Sequence, residues 1–289
     1  MKKHFLTAAV LAAVTATMLT ACSGAATGAT SDKPYGDCPV SGTKGEFSLK
    51  TLRPGELLVK ADLPSPGWYN GDTVAEIHDG VDYCILANIA YRAGISRITL
   101  QNASFDGLIA GKAGDMDLTL NQITITDERK QIFDFSTPYF DSNSGIVAKE
   151  GAKLTAAGLR GARIGVKQGT TEQVYVTDVL KPTQQVSVFP GDPELDAAVA
   201  AGQIDAAVQD LSVALGSTSA SNGRIAVQGQ IDTKQQMGVL LPKNSPNTAV
   251  VDKIIEQLKA DGTIDKLSSK YLSKAYGADP TKIPVWSIQ

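Results

Sequence analysis

From residue 56 onward the chain alternates short apolar runs with stretches whose apolar residues recur at helical spacing. Residues 57–61 predict a strand, and Val81–Arg92, with Val81, Ile85, Leu86 and Ile89 on one face and Gly94 just beyond, predicts a helix. Residues 97–100 predict a second strand, 104–112 a short helix with Phe105, Leu108 and Ile109 on one side, and 116–120 a third strand. Thr126 followed by Asp127 and Glu128 marks a helix start, with a hydroxyl to cap it and acids in its first turn. Residues 131–135 return to extended chain. A second series follows: strands at 163–167, 186–189, 204–209, 224–227 and 238–241, and helices at 171–180, 193–201, 211–219, 248–260 and 263–272. Such alternation predicts an α/β protein of parallel sheets covered by helices, in two lobes. No tandem repeat interrupts it.

The segment before residue 46 has another character. Lys2 and Lys3 precede a short apolar run, 6–19, which reads as a secretory signal occupying residues 1–21 rather than a membrane span. Leu19-Thr20-Ala21-Cys22 closes it and resembles the bacterial lipobox, in which the cysteine becomes the first mature residue and carries lipid. The competing reading is a plain signal with an incidental cysteine. Acyl chains on Cys22 would hold an otherwise soluble domain at the membrane, each buried CH₂ adding roughly 0.8 kcal/mol. Residues 22–45, rich in Ser, Gly, Ala and Thr, read as a flexible tether because they bury too little apolar surface to offset their ordering entropy.

The 289 residues, 43% hydrophobic and 20% charged, suffice for one large domain or two medium ones. Without Lys2 and Lys3 the basic side chains fall from 27 to 25 against 30 acidic, a net charge of −5. No basic stripe suits nucleic acid. Of the three cysteines, Cys38 and Cys84 remain once Cys22 is set aside. Outside the cytoplasm they either form a disulfide tying the tether to the first lobe or stay free thiols, Cys84 filling a helix face.

Four segments, in order, carry a resemblance. Thr124-Ile125-Thr126-Asp127-Glu128-Arg129, with Phe135-Ser136-Thr137-Pro138-Tyr139 close behind, is the first. Leu159 to Thr171, containing Gly161, Gly165-Val166 and Gly169-Thr170-Thr171, is the second. Gly202-Gln203-Ile204-Asp205-Ala206, ending in Asp210, and Asp261-Gly262-Thr263 complete the set. Together they resemble the bacterial extracellular solute-binding proteins of family 3, the polar-amino-acid binding lipoproteins of ABC importers. The resemblance implies a two-lobed type II periplasmic-binding-protein fold with two hinge crossovers, near 141–145 and 234–238. Lobe 1 would take 46–141 and 238–289, and lobe 2 would take 143–236. It also implies a monomer on the extracytoplasmic face of the membrane, serving an ABC permease, with no cofactor and no metal.

A free amino acid presents a carboxylate and an ammonium on one carbon, so its site needs a fixed cation and a fixed anion close together. Arg129 suits the first role through its planar fork, and Thr171 can add a hydroxyl and N–H at the start of a helix. Asp210, ending a predicted strand, can accept from the ammonium with the Thr124 hydroxyl and the Ile123 carbonyl. Taken singly, these residues have blander readings: Arg129 a surface partner of Asp127 or Glu128, Asp210 and Thr171 helix caps. The family resemblance assigns them the ligand. It also puts Asp62 and Lys167 against the ligand's side chain, an acceptor and a donor together that favour glutamine or asparagine; Asp62 alone would suit a basic and Lys167 alone an acidic amino acid. Phe105 would pack on the ligand's stem, with Trp68 or Tyr69 as further stacking candidates. Two family segments are altered here, at 62–68 and 80–85, and both belong to the lobe-1 pocket wall. Asp134 and Asp205 read as structural. The alternatives are a surface amino-acid sensor or a dehydratase-type enzyme on the same scaffold. His78, in a polar segment, reads as a surface residue, and nucleophile, phosphate-loop and metal-ligand motifs are lacking.

Overall fold

In a computed structural model, residues 33–288 of the chain are described. The signal segment, Cys22 and the first part of the tether therefore lie outside the described residues. In chain order the first elements are β1 (Glu56–Ala61), α1 (Val81–Arg92), β2 (Arg97–Asn102), α2 (Phe105–Ile109), α3 (Asp127–Ile132) and β3 (Phe133–Phe135). Next come β4 (Phe140–Lys149), α4 (Ala156–Leu159), β5 (Ile164–Lys167), α5 (Thr171–Val174, continuing as a π-turn to Leu180), β6 (Ser187–Phe189), α6 (Asp192–Ala201), β7 (Ala206–Asp210) and α7 (Leu211–Ala220). The chain then runs through β8 (Ile225–Met237), β9 (Leu240–Pro242), α8 (Thr248–Ala260) and α9 (Thr263–Tyr276).

Lobe 1 is built on β1 and β2, parallel with Glu56 opposite Arg97. The layer continues through isolated bridges, Val59 to Leu118 and Thr119 to Leu240, into the antiparallel pair β3–β9. Residues 116–120 thus contribute bridges rather than the full strand predicted. Leu57, Val59, Leu86, Ile89, Leu118 and Ile254 are fully buried between this layer and α1, α8 and α9. Lobe 2 has the strand order β6-β5-β7-β4-β8. Its first three strands are parallel, but β4 runs antiparallel to both β7 and β8. The all-parallel expectation is corrected here: β4 and β8 are the two crossovers themselves, one leaving lobe 1 and one returning, so they must run in opposite directions. They pair from Phe140–Met237 to Lys149–Ile225, with a register shift between Ser142 and Ser144.

Two further expectations change. The described part of the tether, residues 33–45, is fixed on lobe 1. Cys38 and Cys84 are disulfide-bonded, the Tyr35 hydroxyl donates to the Ile95 carbonyl, and Ser41 N–H donates to Asn88 Oδ1 at 2.9 Å. The buried Arg92 guanidinium binds the Ser41 carbonyl, Gln257 and Asp261. Composition missed this because the partners sit on helices some fifty residues or more away. Closing the 46-residue separation between the cysteines removes freedom from the unfolded chain, typically worth about 2–4 kcal/mol.

The second change is at the C-terminus, expected with lobe 1. After α9 the chain crosses to lobe 2: Val285 bridges Gln230 on β8, Trp286 N–H donates to the Gln230 carbonyl, and the Gln230 amide donates to the Pro280 and Ile283 carbonyls. Trp286 lies so close over Gly229 that a Cβ there would meet its indole at 2.3 Å. Trp286→Ala is therefore expected to destabilise the protein by about 1–3 kcal/mol, lowering Tm by roughly 3–8 °C in a circular-dichroism melt. An unchanged melt would show that this strap adds nothing to the fold.

Candidate functional site

On the lobe-1 side, Thr126 caps α3 by accepting the Arg129 N–H. That fixes the helix start and turns the Arg129 side chain inward, where the residue is 8% exposed. Arg129 Nη1 donates to the Thr124 carbonyl at 2.6 Å, and Nη2 reaches across to the Gly169 carbonyl of lobe 2 at 3.1 Å. Burial pulls its pKa down to about 10, opposed by the charges of Glu172 and Glu128, so it remains a cation at neutral pH. The Phe105 ring, at the start of α2, faces two cations: Arg129 at 5.7 Å and Lys167 at 5.1 Å.

On the lobe-2 side, β5 ends at Lys167 and the chain turns through Gly169 at φ +78°, where a Cβ would meet Ile109 of α2 at 2.9 Å. Thr170 then caps α5, placing Thr171 and Glu172 in its first turn. Asp210 ends β7 and begins α7. Its Oδ1 caps that helix, accepting from Ser212 and Val213 N–H, and also takes the hydroxyls of Ser212 and Ser142. Its other oxygen, Oδ2, is buried with no hydrogen-bond partner among the described residues. Burial and then the Glu172 charge raise the Asp210 carboxyl to about 7. The capping and ligand readings of Asp210 are therefore compatible, since each uses a different oxygen.

Between the faces sits Gln235 of β8. Its Oε1 accepts from Thr124 at 2.5 Å and from Thr171 at 2.9 Å, and its amide donates to Ser144 and Glu172. Lys167 lies between two carboxylates, Asp62 of lobe 1 and Asp192 of α6, the latter at 2.7 Å. Burial disfavours the lysine's charge, but Asp192 and Asp62 outweigh it and its pKa rises above the ordinary value. Bringing Arg129, Lys167, Gln235 and these acids together leaves about 40 Å³ of free space. An amino acid entering the cleft must displace the Gln235 amide or part the lobes.

The cleft brings together Arg129, Thr124, Phe105, Lys167, Thr171 and Asp210. Asp62 stands behind the cleft, its carboxylate on Lys167 and its N–H donating to Asn121 Oδ1 at 2.8 Å, both of them lining residues. The Ile123 carbonyl accepts the Gly238 N–H, and its side chain is core. Trp68 and Tyr69 are buried outside this cleft, Tyr69 donating to the Leu120 carbonyl. Sequence reasoning missed Glu172, Asp192 and Gln235. Glu172 adjoins Thr171 in a quoted motif, and Asp192 opens a predicted helix, so both carried a local signal; Gln235 lay inside a stretch read only as a crossover. Asp205 pairs with Arg163, and Asp134 with Lys243 and the start of α8, as structural acids do. No group of three His, Cys, Asp or Glu side chains among the described residues could hold a metal ion.

A buried guanidinium and a threonine hydroxyl on the lobe-1 side, with a threonine hydroxyl and a carboxylate oxygen lacking a hydrogen-bond partner among the described residues on the lobe-2 side, are groups chemically able to hold a zwitterion. Residues 59–274 match the model of the bacterial extracellular solute-binding proteins, family 3. The chain is 34% identical over 189 residues to the L-cystine-binding protein TcyJ of Escherichia coli K12, covering 64% of this chain and 69% of that protein. It is 34% identical over 188 residues to an L-arginine-binding protein of Pseudomonas aeruginosa, covering 61% and 73%. An ancestral arginine-binding protein bound to arginine superimposes with a TM-score of 0.68 at 30% identity, over 75% of this chain and 98% of that one.

Proposed function

The chain belongs to the bacterial extracellular solute-binding proteins of family 3, and from that premise we propose that it captures a free polar amino acid between its lobes and presents it to an ABC permease. The observation that carries this reading is the presence in one cleft of Arg129, buried on lobe 1, and of Asp210 on lobe 2, whose Oδ2 has no hydrogen-bond partner among the described residues. The ligand carboxylate takes the Arg129 fork and the Thr171 hydroxyl, and its ammonium takes Asp210 and the Thr124 hydroxyl. In doing so it replaces Gln235, which holds both threonines. Contacts from both lobes favour the closed form, because a ligand shifts such an equilibrium only through its differential affinity. Its relatives are transport binding proteins, and the chain is a binding protein rather than an enzyme.

The choice of side chain is narrower than the sequence suggests. A free acceptor and donor favour glutamine or asparagine, yet Asp62 and Lys167 hold each other. Glu172, Asp192 and Asp210 line the cleft against Arg129 and Lys167, so the acid excess supports a ligand bringing positive charge beyond its α-ammonium. Cys22 remains the proposed lipid anchor; among the described residues no helix is long and apolar enough to cross a membrane.

The test is a thermal-shift panel on protein beginning at Ser23, refolded to strip carried ligand and offered the twenty amino acids, amines, sugars and organic acids. At about 100 times its dissociation constant a ligand adds roughly 2.7 kcal/mol, a rise of several degrees in Tm. Shifts confined to amino acids support the reading. A shift with a non-amino acid alone sinks it.

A further inference from the structure

A second cavity, of about 260 Å³, lies between the lobes beside the cleft, and Asp192 and Val213 line both. Its lobe-1 wall is the loop 64–68; its lobe-2 wall carries Asp196 and Ala197 of α6 and Ser217 of α7, with Arg224 exposed at the rim. The space would take several waters, more than the first compartment leaves free.

Its wall carries polar groups that the fold does not use. Trp68 is fully buried, edge-on to Phe140 at 5.0 Å, and its indole N–H has no acceptor among the described residues. Asp196 Oδ1 is likewise buried without a hydrogen-bond partner among the described residues, although the Ser217 and Gln209 side chains lie close enough to favour its charged form. Burial, then the neighbouring Asp192 charge, raise the Asp196 carboxyl to about 7, a penalty that a cation placed against it would relieve. Arg224 rests its Nε–H on the Ser221 carbonyl at 3.0 Å, holding a positive charge at the mouth. One unmet acceptor, one unmet donor and a nearby cation repeat the chemistry of the first compartment, where Asp210 and Arg129 stand.

We propose that this cavity is a second head-group compartment, and that the ligand is an α-amino acid with another ammonium–carboxylate pair at its far end. The distal ammonium meets Asp196, and the distal carboxylate meets the Trp68 N–H and Arg224. The linking chain passes Asp192 and Val213. A simple cationic side chain would use Asp196 but leave Trp68 and Arg224 without a role, which is why a bis-amino acid fits better than lysine or arginine. The inference rests on the reading that Arg129 and Asp210 hold the first head group.

The experiment is isothermal titration calorimetry of refolded protein with L-cystathionine (two head groups, no reducible bond), S-methyl-L-cysteine (one head group) and L-arginine. Asp196→Asn removes the distal acceptor, and Ala197→Leu fills the compartment without changing charge. Wild type should bind L-cystathionine at least about tenfold tighter than either other ligand. Both variants should lose that advantage while binding S-methyl-L-cysteine as wild type does, which also certifies their folding. Equal weakening of all ligands, or a cystathionine advantage that survives both variants, overturns the second compartment. So does a wild type that binds arginine or S-methyl-L-cysteine as tightly as cystathionine, although single-head-group binding leaves the first reading standing. A wild type that binds no amino acid overturns both.

Discussion

Arg129→Ala is expected to weaken binding of the captured amino acid by about 3–5 kcal/mol, a factor of roughly 150 to 4,000 in Kd. The loss exceeds one ordinary hydrogen bond because the ligand's carboxylate would enter a closed cleft and find its cation gone. What surrounds that position makes matters worse, since Glu172 is 3% exposed beside it and would then face the carboxylate unopposed. The free protein should suffer less. It forfeits bonds to the Thr124 and Gly169 carbonyls and the contact with Phe105, but it no longer buries a guanidinium. Calorimetric titration at pH 7 together with a melt separates the two effects. Arg129→Lys should fall in between, because an ammonium keeps the charge and loses the fork. If Arg129→Ala bound its ligand as wild type does, the assigned cleft would be wrong.

Asp210→Asn should cost about 2–4 kcal/mol of binding and remove the part of its pH dependence that Asp210 carries. The carboxyl of the free protein sits at about 7, whereas an ammonium ligand requires the ionised form. Wild-type affinity should therefore climb by up to about tenfold per pH unit from pH 5 towards 7 and then level off. The variant should be weak throughout and show a shallower slope than wild type. Stability moves the other way. A carboxyl whose folded pKa is raised contributes most when protonated, below its unfolded value near 4; that contribution is lost as pH rises towards 7. Without amino acid, Asp210→Asn should thus melt at or above wild type at pH 8, since asparagine keeps the cap on α7 and carries no charge. Asp82 and Asp196 also titrate near 7, so the informative quantity is the difference between variant and wild type. A variant that bound normally, or kept the pH slope, would remove Asp210 from the ammonium.

Much of this protein could be read before its coordinates. The Thr126 cap, the helices α1, α8 and α9, and the strands β1, β5 and β7 follow from local periodicity and capping chemistry, which need only a few neighbouring residues. The crossover strands were harder. In β4 the run Asp141, Ser142, Asn143, Ser144 has no apolar alternation, and β8 extends well past the short strand predicted at 224–227. Between the lobes their pairing comes from each other; only further along, at Ile146, Val147 and Ile225, do they bury apolar side chains. For the same reason Gln235 stayed unread: a polar residue in a polar stretch gives no hint that it holds Thr124 and Thr171.

Alternation along the chain pointed to α/β lobes, and a family resemblance carried by four segments pointed to Arg129, Thr171 and Asp210 as the groups proposed to hold a zwitterion. Tertiary structure alone decided how each charge is spent. Lys167 and Asp62 lie on different lobes, and only when the lobes meet do they become partners, with Asp192 as a third. Cys38 and Cys84 became a pair only when the N-terminal segment lay along α1, and the C-terminal strap found β8 only after α9 had turned it that way. Periodicity and capping act over a turn or two of chain; the partner of a buried charge, a thiol or an edge strand is fixed by surfaces that meet across a hundred residues.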